Sequence, residues 1–99
     1  MLTSKQRARL RAMANTLNDT VLIGKEGITD AVIAQTEEVL EKHELIKIKV
    51  LETAMMTAKE VQAELCEALD AEPVQCIGKK TVIFRVAREP ENRHIDPDA

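Results

Sequence analysis

Helical and strand patterns alternate along this chain, and the alternation restricts the possible folds more than any other feature. Three segments have apolar residues at helical spacing behind a threonine that can cap the first turn. Four short runs rich in β-branched residues lie between and after them. The predicted order is α-β-α-β-α-β-β, an α/β chain of the α+β two-layer type with a four-stranded mixed sheet. If the strands advance in one direction, right-handed crossovers place the second and third helices on one face, and the last strand returns antiparallel.

Caps and turns predict where these elements begin and end. Thr3, Thr29 and Thr57 should start the three helices, and Pro73 should close the third. Gly78–Lys80 should join the last two strands as a hairpin. The predicted strands cover residues 20–23, 45–50, 74–77 and 81–86.

Length and composition indicate one globular domain with an aliphatic core. Ninety-nine residues suffice for one core but not for two. The sequence is 44% hydrophobic and 31% charged, and Phe84 is its single aromatic residue. We expect a domain at residues 1–88 and a flexible acidic tail at residues 89–99, where two prolines and alternating charges occur. Because no apolar run approaches a membrane span and the first residues do not resemble a signal peptide, we expect a cytoplasmic protein without a membrane partner.

Charge is strongly segregated along the sequence. Residues 1–25 carry a net charge of +4 and residues 73–88 carry +4, whereas residues 26–72 carry −8 and residues 89–99 carry −3. The two basic segments could fold into one surface patch, with the acidic residues on the opposite side. Such a patch attracts phosphate even though the whole chain has a net charge of −3.

The segment Gly24-Lys25-Glu26-Gly27 is the first candidate phosphate-binding loop. It follows a predicted strand and precedes a predicted helix, so its glycines and the free N–H groups of the helix start could approach a phosphate, and Lys25 adds charge. The spacing resembles the clamp loop of KH-type RNA-binding domains. The spacing alone is equally compatible with a tight strand-to-helix turn, an interpretation that the acidic Glu26 favours.

The segment Gly78-Lys79-Lys80-Thr81 is the second candidate. Two lysines at a hairpin tip usually form only a solvated turn. Here Arg85 and Arg88 follow, with no acidic residue between positions 73 and 88, which favours a nucleic-acid contact. The predicted contact residues are Gly24, Lys25, Gly27, Lys79, Lys80 and Arg85, supported by Lys5, Arg7 and Arg11 of the first helix on a flank that the sequence does not specify.

Titratable side chains are not arranged for catalysis. His43 ends an acid-rich helix, as surface histidines often do, and His94 lies in the tail. Glu60, Glu64 and Glu67 form a stripe typical of a solvated helix face. We therefore predict no catalytic residue, no metal ion, no cofactor and no small-molecule substrate.

The two cysteines, Cys66 and Cys76, have neither metal-ligand nor redox-motif spacing. Because the chain shows no export signal, we expect two buried, reduced thiols rather than a disulfide.

Four blocks of sequence, at residues 2–7, 23–29, 44–50 and 74–85, occur together in order. In content and spacing they resemble the CRM family, specifically the bacterial single-domain YhbY-like RNA-binding proteins. The resemblance implies a fold similar to the C-terminal domain of bacterial translation initiation factor three. It also implies RNA binding without catalysis, and association with ribosomal RNA in precursors of the large ribosomal subunit.

Two positions depart from the family pattern. Phe84 stands where relatives often have tyrosine, and the segment 53–56 is more apolar than an exposed crossover usually is, so a protein contact there is conceivable. Since the sequence has no tryptophan and no tyrosine, it lacks the aromatic platform that reads unpaired bases. We expect recognition of structured RNA through its backbone and shape.

Two other functions are compatible with the sequence. The acidic second and third helices could make the protein an adaptor that docks a basic partner such as a ribosomal protein. A small hydrolase would require a cluster of titratable groups in a pocket. The oligomeric state is left open by the sequence.

Overall fold

Threonine caps start the helices of the computed structural model, which describes residues 2–96. The hydroxyl groups of Thr3 and Thr57 accept hydrogen bonds from the backbone N–H groups of Gln6 and Glu60, whose side chains accept in return, completing two capping boxes. Thr29 accepts from the third residue of its helix without the return bond. The helices are α1 (Ser4–Ala14), α2 (Asp30–His43) and α3 (Ala58–Leu69), and the strands are β1 (Asp19–Ile23), β2 (Leu45–Val50), β3 (Glu72–Ile77) and β4 (Lys80–Phe84).

Residues with a positive φ angle end the second and third helices, and no proline closes the third. Asp70 has φ 55° at the C-terminus of α3, and Glu44 has φ 62° at the C-terminus of α2. The prediction that Pro73 closes α3 is wrong, because Pro73 already lies within β3. As β3 is an edge strand, the missing N–H group of Pro73 is tolerated there.

The strands form one mixed sheet in the order β1-β2-β4-β3. β1 and β2 are parallel, and β4 runs antiparallel to both of its neighbours. β3 consequently runs in the same direction as β1 and β2. The predicted element order, the four-stranded mixed sheet and the antiparallel last strand are confirmed.

Helices cover both faces of the sheet. Ile46, Ile48 and Val50 of β2 are buried in a cluster that includes Leu40 of α2 and Leu65 of α3, so these two helices share one face as predicted. A second cluster joins α1 to the alternate residues of the strands. It contains Leu10, Ala14, Leu45, Val74, Val82 and Phe84. The two-layer description is therefore corrected to three layers, with α1 alone on the second face.

A buried carboxylate ties the C-terminal strap, defined here as residues 87–95, to the end of α2. Glu44 is completely buried, and its carboxylate accepts hydrogen bonds from the backbone N–H groups of Ala87 (2.7 Å), His94 (2.7 Å) and Ile95 (3.0 Å). Burial by itself would raise the pKa of Glu44, but these bonds hold the pKa below its ordinary value. Ile95 also packs against the α1 cluster. The tail predicted to be flexible at residues 89–99 is thus hydrogen-bonded to α2 and its cap along residues 89–95, and residues 97–99 lie outside the described residues.

Glu41 holds the middle of the same strap. Its carboxylate accepts hydrogen bonds from the side chain of Asn92 and from the backbone N–H groups of Arg88 and Glu89, which lower its pKa from 4.5 to about 2. Because the folded-state pKa is lowered, this contribution to stability is fully present above the ordinary pKa. It is lost as the pH falls toward about 2.

Glu41→Gln should therefore lower stability at neutral pH and flatten the acid limb of the stability profile. The measurement is urea unfolding between neutral pH and the lowest pH at which the protein folds. Glu38→Gln is the matched control, since the Glu38–Lys42 ion pair (3.9 Å) is largely exposed. Superimposable acid limbs for wild type and Glu41→Gln would contradict the assignment.

The cysteines differ in exposure. Both are free thiols as expected, but Cys76 is exposed rather than buried, because it belongs to the edge strand β3. Its thiol contacts the side-chain amide oxygen of Gln62 in α3. Cys66 is partly buried, and burial raises the pKa of its thiol to about 12.

Iodoacetamide should therefore modify Cys76 and leave Cys66 intact in the folded protein, because the thiolate is the reactive form. Intact-mass measurement at mildly alkaline pH should show a single adduct, which peptide mapping places on Cys76. Cys76→Ser should remain unmodified until denaturant is added. Rapid labelling of Cys66 under native conditions would show that its surroundings are more open than described.

Candidate nucleic-acid interface

The two candidate loops lie at the same end of the sheet. The Gly24–Gly27 loop follows β1, and the Gly78–Lys79 turn joins β3 to β4. Backbone hydrogen bonds link both to the end of β2. The N–H group of Leu51 donates to the carbonyl of Ile23 (2.8 Å), and the N–H group of Val50 donates to the carbonyl of Lys79 (2.7 Å). The chain after β2 therefore lies between the two loops and joins them into one continuous surface.

The Gly24–Gly27 loop is a tight turn. The N–H group of Gly27 donates to the carbonyl of Gly24 (3.0 Å), which leaves Lys25 and Glu26 exposed at the tip. Gly27 has φ +69°, a conformation that side chains rarely adopt, whereas a Cβ at Gly24 would meet its nearest atom at 3.7 Å. The backbone therefore requires glycine only at position 27.

Acidic residues limit this loop as an anion site. Glu26 lies at its tip and Asp30 occupies the first turn of α2. A negative side chain in the first turn already interacts favourably with the helix dipole. Hence positive charge at this end of the sheet has to come from the exposed Lys25 and Lys79, neither of which has an ion-pair partner within residues 2–96.

Lys80 differs from Lys79 in having an acidic partner. Its Nζ lies 3.4 Å from Oδ2 of Asp19, across the intervening strand β2. The other oxygen, Oδ1 of Asp19, is buried and has no hydrogen-bond partner among the described atoms. The Lys80 ammonium group is thus partly neutralised, although half of its side chain is exposed.

Arg85 does not belong to this surface, and its assignment as an RNA contact is corrected. The residue is 7% exposed, and its guanidinium donates to the Glu37 carboxylate (2.6 Å) and to the carbonyl of Leu69 (3.2 Å). The hydrogen bond from Arg85 lowers the pKa of Glu37, against the opposing effect of burial. Arg88 pairs with Glu37 as well, at 3.3 Å. Residues 73–88 contain no acidic residue, but the two arginines of this segment form ion pairs with an acidic side chain of α2.

The basic residues of α1 divide between two sides of the helix. At about 100° per residue, Arg7 and Arg11 lie on one flank of the buried Leu10, whereas Lys5 lies on the outer side. The Nε–H group of Arg7 donates to the carbonyl of Pro73 in β3 (3.2 Å), which fixes the side chain without neutralising its charge.

The two flanks of α1 have different neighbours. Leu2 and Gln6, from the opposite flank, line a pocket with Phe84 at the end where β4 stops. The flank with Arg7 and Arg11 lies on the other side of α1, and Arg7 holds it to the carbonyl of Pro73, whose β4 partner is Ile83.

Two lysines that the sequence analysis did not assign lie on the same face. Lys47 and Lys49 alternate with the buried residues of β2 and so point to the α1 side. Because α1 packs over Leu45, Val74, Val82 and Phe84, it leaves the part of this face beyond Val82 uncovered, with Lys47 partly buried at its border. We call this the open half of the sheet; its residues are Leu22, Lys47, Lys49, Ile77 and Lys80. The alternation in β2 was visible in the sequence, but the partial cover by α1 was not.

The acidic side chains lie mainly on the opposite side of the domain. Glu38, Glu64 and Glu67 are exposed on α2 and α3. Most unpaired basic side chains thus occupy α1, the two loops and the open half of the sheet, while α2 and α3 carry most of the exposed acids; Glu26 and Glu52 are exposed near the loops, and Lys59 is exposed on α3.

Residues 2–96 contain no group of three or more His, Cys, Asp or Glu side chains able to hold a metal ion. None of the helices in that range has the length and apolar character that crossing a membrane requires. His43 and His94 line a groove of about 570 Å³, but its other walls are largely apolar, including Met13, Leu17 and Ile95.

Comparisons with known proteins place this geometry in a family. Residues 2–85 match the model of the CRS1 / YhbY (CRM) domain. The chain is 35% identical to "Probable RNA-binding protein YqeI" of Bacillus subtilis, over 97% of this chain and 98% of the relative. It is also 35% identical to a Haemophilus influenzae protein named "RNA-binding protein", over 89% of each chain.

A solved structure agrees with this match. The solution structure of SAV1595, a hypothetical protein of Staphylococcus aureus, superimposes with a TM-score of 0.78 at 38% sequence identity, covering 97% of this chain and all of the other. With a family match over most of its length and a shared fold, the chain belongs to the CRS1/YhbY (CRM) domain family.

Proposed function

We propose that this protein binds structured RNA, without catalysing a reaction, through Lys25, Lys79 and the Arg7–Arg11 flank of α1. The observation that carries the proposal is the separation of charge in three dimensions. Most of the unpaired cations border one end and one face of the sheet, and most of the exposed acids lie on the opposite helices, with Glu26 and Glu52 as the acids exposed near the two loops. Relatives named as RNA-binding proteins support RNA binding.

Contacts with the phosphate backbone should dominate this binding. Phe84, the single aromatic residue of the chain, is 3% exposed and packs against α1, so it is not available for stacking on bases. Lysine and arginine side chains on phosphates fix the position of an RNA but discriminate little among sequences. We therefore propose recognition of RNA shape, with ribosomal RNA in precursors of the large subunit as the target and assistance of ribosome assembly in the cytoplasm as the role.

The adaptor function is less well supported. It requires free carboxylates on α2 and α3, but three glutamates of α2 and its cap are engaged within the domain. Glu37 pairs with Arg85, while Glu41 and Glu44 bind the C-terminal strap. The acidic surface left for a basic partner is smaller than the sequence suggests.

A salt series tests the proposal. Fluorescence anisotropy of a labelled ribosomal RNA hairpin should give an association constant whose logarithm falls linearly with the logarithm of salt concentration. The parallel titration uses a basic ribosomal-protein peptide. Binding of the peptide without binding of RNA would support the adaptor function instead.

A further inference from the structure

The open half of the sheet contains a row of four side chains in register. Leu22 of β1 lies opposite Lys49 of β2, Lys49 lies opposite Lys80 of β4, and Lys80 lies opposite Ile77 of β3. Neighbouring strands are about 4.8 Å apart, so the row spans the sheet over roughly 14 Å. Two ammonium groups occupy its centre and an aliphatic side chain stands at each end.

The row is poorly explained as a stabilising feature. Like charges directly opposite each other on adjacent strands are unfavourable. Asp19 relieves only Lys80, and Lys49 has no ion-pair partner within residues 2–96. Leu22 and Ile77 are 56% and 64% exposed, so they contribute little to the core. An anion between the lysines would remove the repulsion.

The surroundings favour an anionic chain over a small anion. Lys47 lies one step further along β2 on the same face, which α1, with its Arg7–Arg11 flank, covers in part. The lysines therefore form a track rather than an enclosed pocket. The aliphatic ends of the row offer apolar surface to groups that leave water more readily than phosphate, as the faces of unpaired bases do.

We propose that the open half of the sheet binds an unpaired RNA strand next to the duplex, with phosphates at Lys49 and Lys80 and bases against Leu22 and Ile77. The assignment rests on the proposed RNA binding and adds to it a second, single-stranded contact. Aliphatic contacts on both sides make this contact tolerant of sequence and weaker than aromatic stacking. The Asp19–Lys80 ion pair is exchanged for a phosphate contact when the strand binds.

Two RNAs distinguish this inference from the proposed function. One is a blunt hairpin and the other is the same hairpin with a short uridine extension. We expect the extension to raise the affinity of the wild-type protein about fivefold, less than aromatic platforms provide. Leu22→Ser with Ile77→Ser should abolish that gain and leave binding of the blunt hairpin nearly unchanged, whereas Lys49→Gln should abolish the gain and weaken binding of the blunt hairpin less than binding of the extended RNA. Lys49→Gln should also reduce the salt slope for the extended RNA by about 0.7.

Lys42→Gln, on α2, is the matched control and should behave as wild type with both RNAs. Thermal unfolding verifies that each variant folds, and methyl NMR of Leu22 and Ile77 should respond to the extended RNA only. If the blunt hairpin binds but the extension adds nothing, or if the variants keep its gain, this inference is overturned and the proposed function stands. If neither RNA binds, both fail. Dimerisation of the free protein that Leu22→Ser abolishes would assign the face to a second copy instead.

Discussion

Lys25→Glu combined with Lys79→Glu should weaken binding to every structured RNA by roughly 10- to 100-fold, because charge-assisted contacts with phosphate are lost and replaced by repulsion. The salt slope should decrease by about two units. Both side chains are exposed and without an ion-pair partner within residues 2–96, so the fold should not suffer. Lys80 is the poorer choice, because its removal would also leave Asp19 without its partner.

Glu64→Gln combined with Glu67→Gln is the control for that experiment. Both residues are exposed on α3, on the face opposite α1, so RNA affinity should remain equal or increase slightly. The measurement is the dissociation constant of each double variant and of wild type for several RNA hairpins, from fluorescence anisotropy titrations. Silent lysine changes together with disruptive glutamine changes would move the binding surface to α2 and α3 and support the adaptor function.

Leu65→Ala should lower the free energy of unfolding by about 2–5 kcal/mol, through the lost burial and the cavity left behind. Leu65 is completely buried on the inner side of α3, in the same cluster as Ile48 and Ile83 of the sheet. Urea unfolding at neutral pH gives the difference from the midpoint and slope. Lys79→Ala, at an exposed turn, should stay within about 0.5 kcal/mol of wild type. An unchanged midpoint for Leu65→Ala would mean that α3 packs through a different face.

Local features of the sequence predict most of the fold. The capping threonines act within one helical turn, and the alternation in β2 acts within one strand, so both are legible without the rest of the molecule. The order of elements then restricts the topology to a few arrangements. The placement of α1 over only one end of its face could not be predicted in this way, because it depends on a cluster that joins Leu10 and Ala14 to residues of three different strands.

Long-range charge pairing explains the errors in the candidate site. Arg85 finds its carboxylate 48 positions earlier in the chain, and Glu44 finds its amide donors 43 to 51 positions later. Pairs so distant in the sequence leave no periodic pattern. An arginine in a segment without acidic residues therefore appears to be available for RNA, although a distant carboxylate already neutralises its charge. Lys47 and Lys49 were not assigned to the site, because the sequence does not show which part of their face of the sheet is left uncovered. Ordinary alternation on a strand does not tell whether the outward face meets solvent or a helix.

The position of β4 within the sheet has a consequence for how the protein is made. β4 is the last strand to be synthesised, yet it lies between β2 and β3 and is the only strand among residues 2–96 that pairs with β3. While the chain emerges from the ribosome, β3 therefore has no partner and the inner faces of α2 and α3 have an incomplete sheet to cover. Non-local pairing of this kind delays folding until the distant segment is available. We expect the nascent chain to stay unfolded until residue 84 is free, and then to fold in one cooperative step.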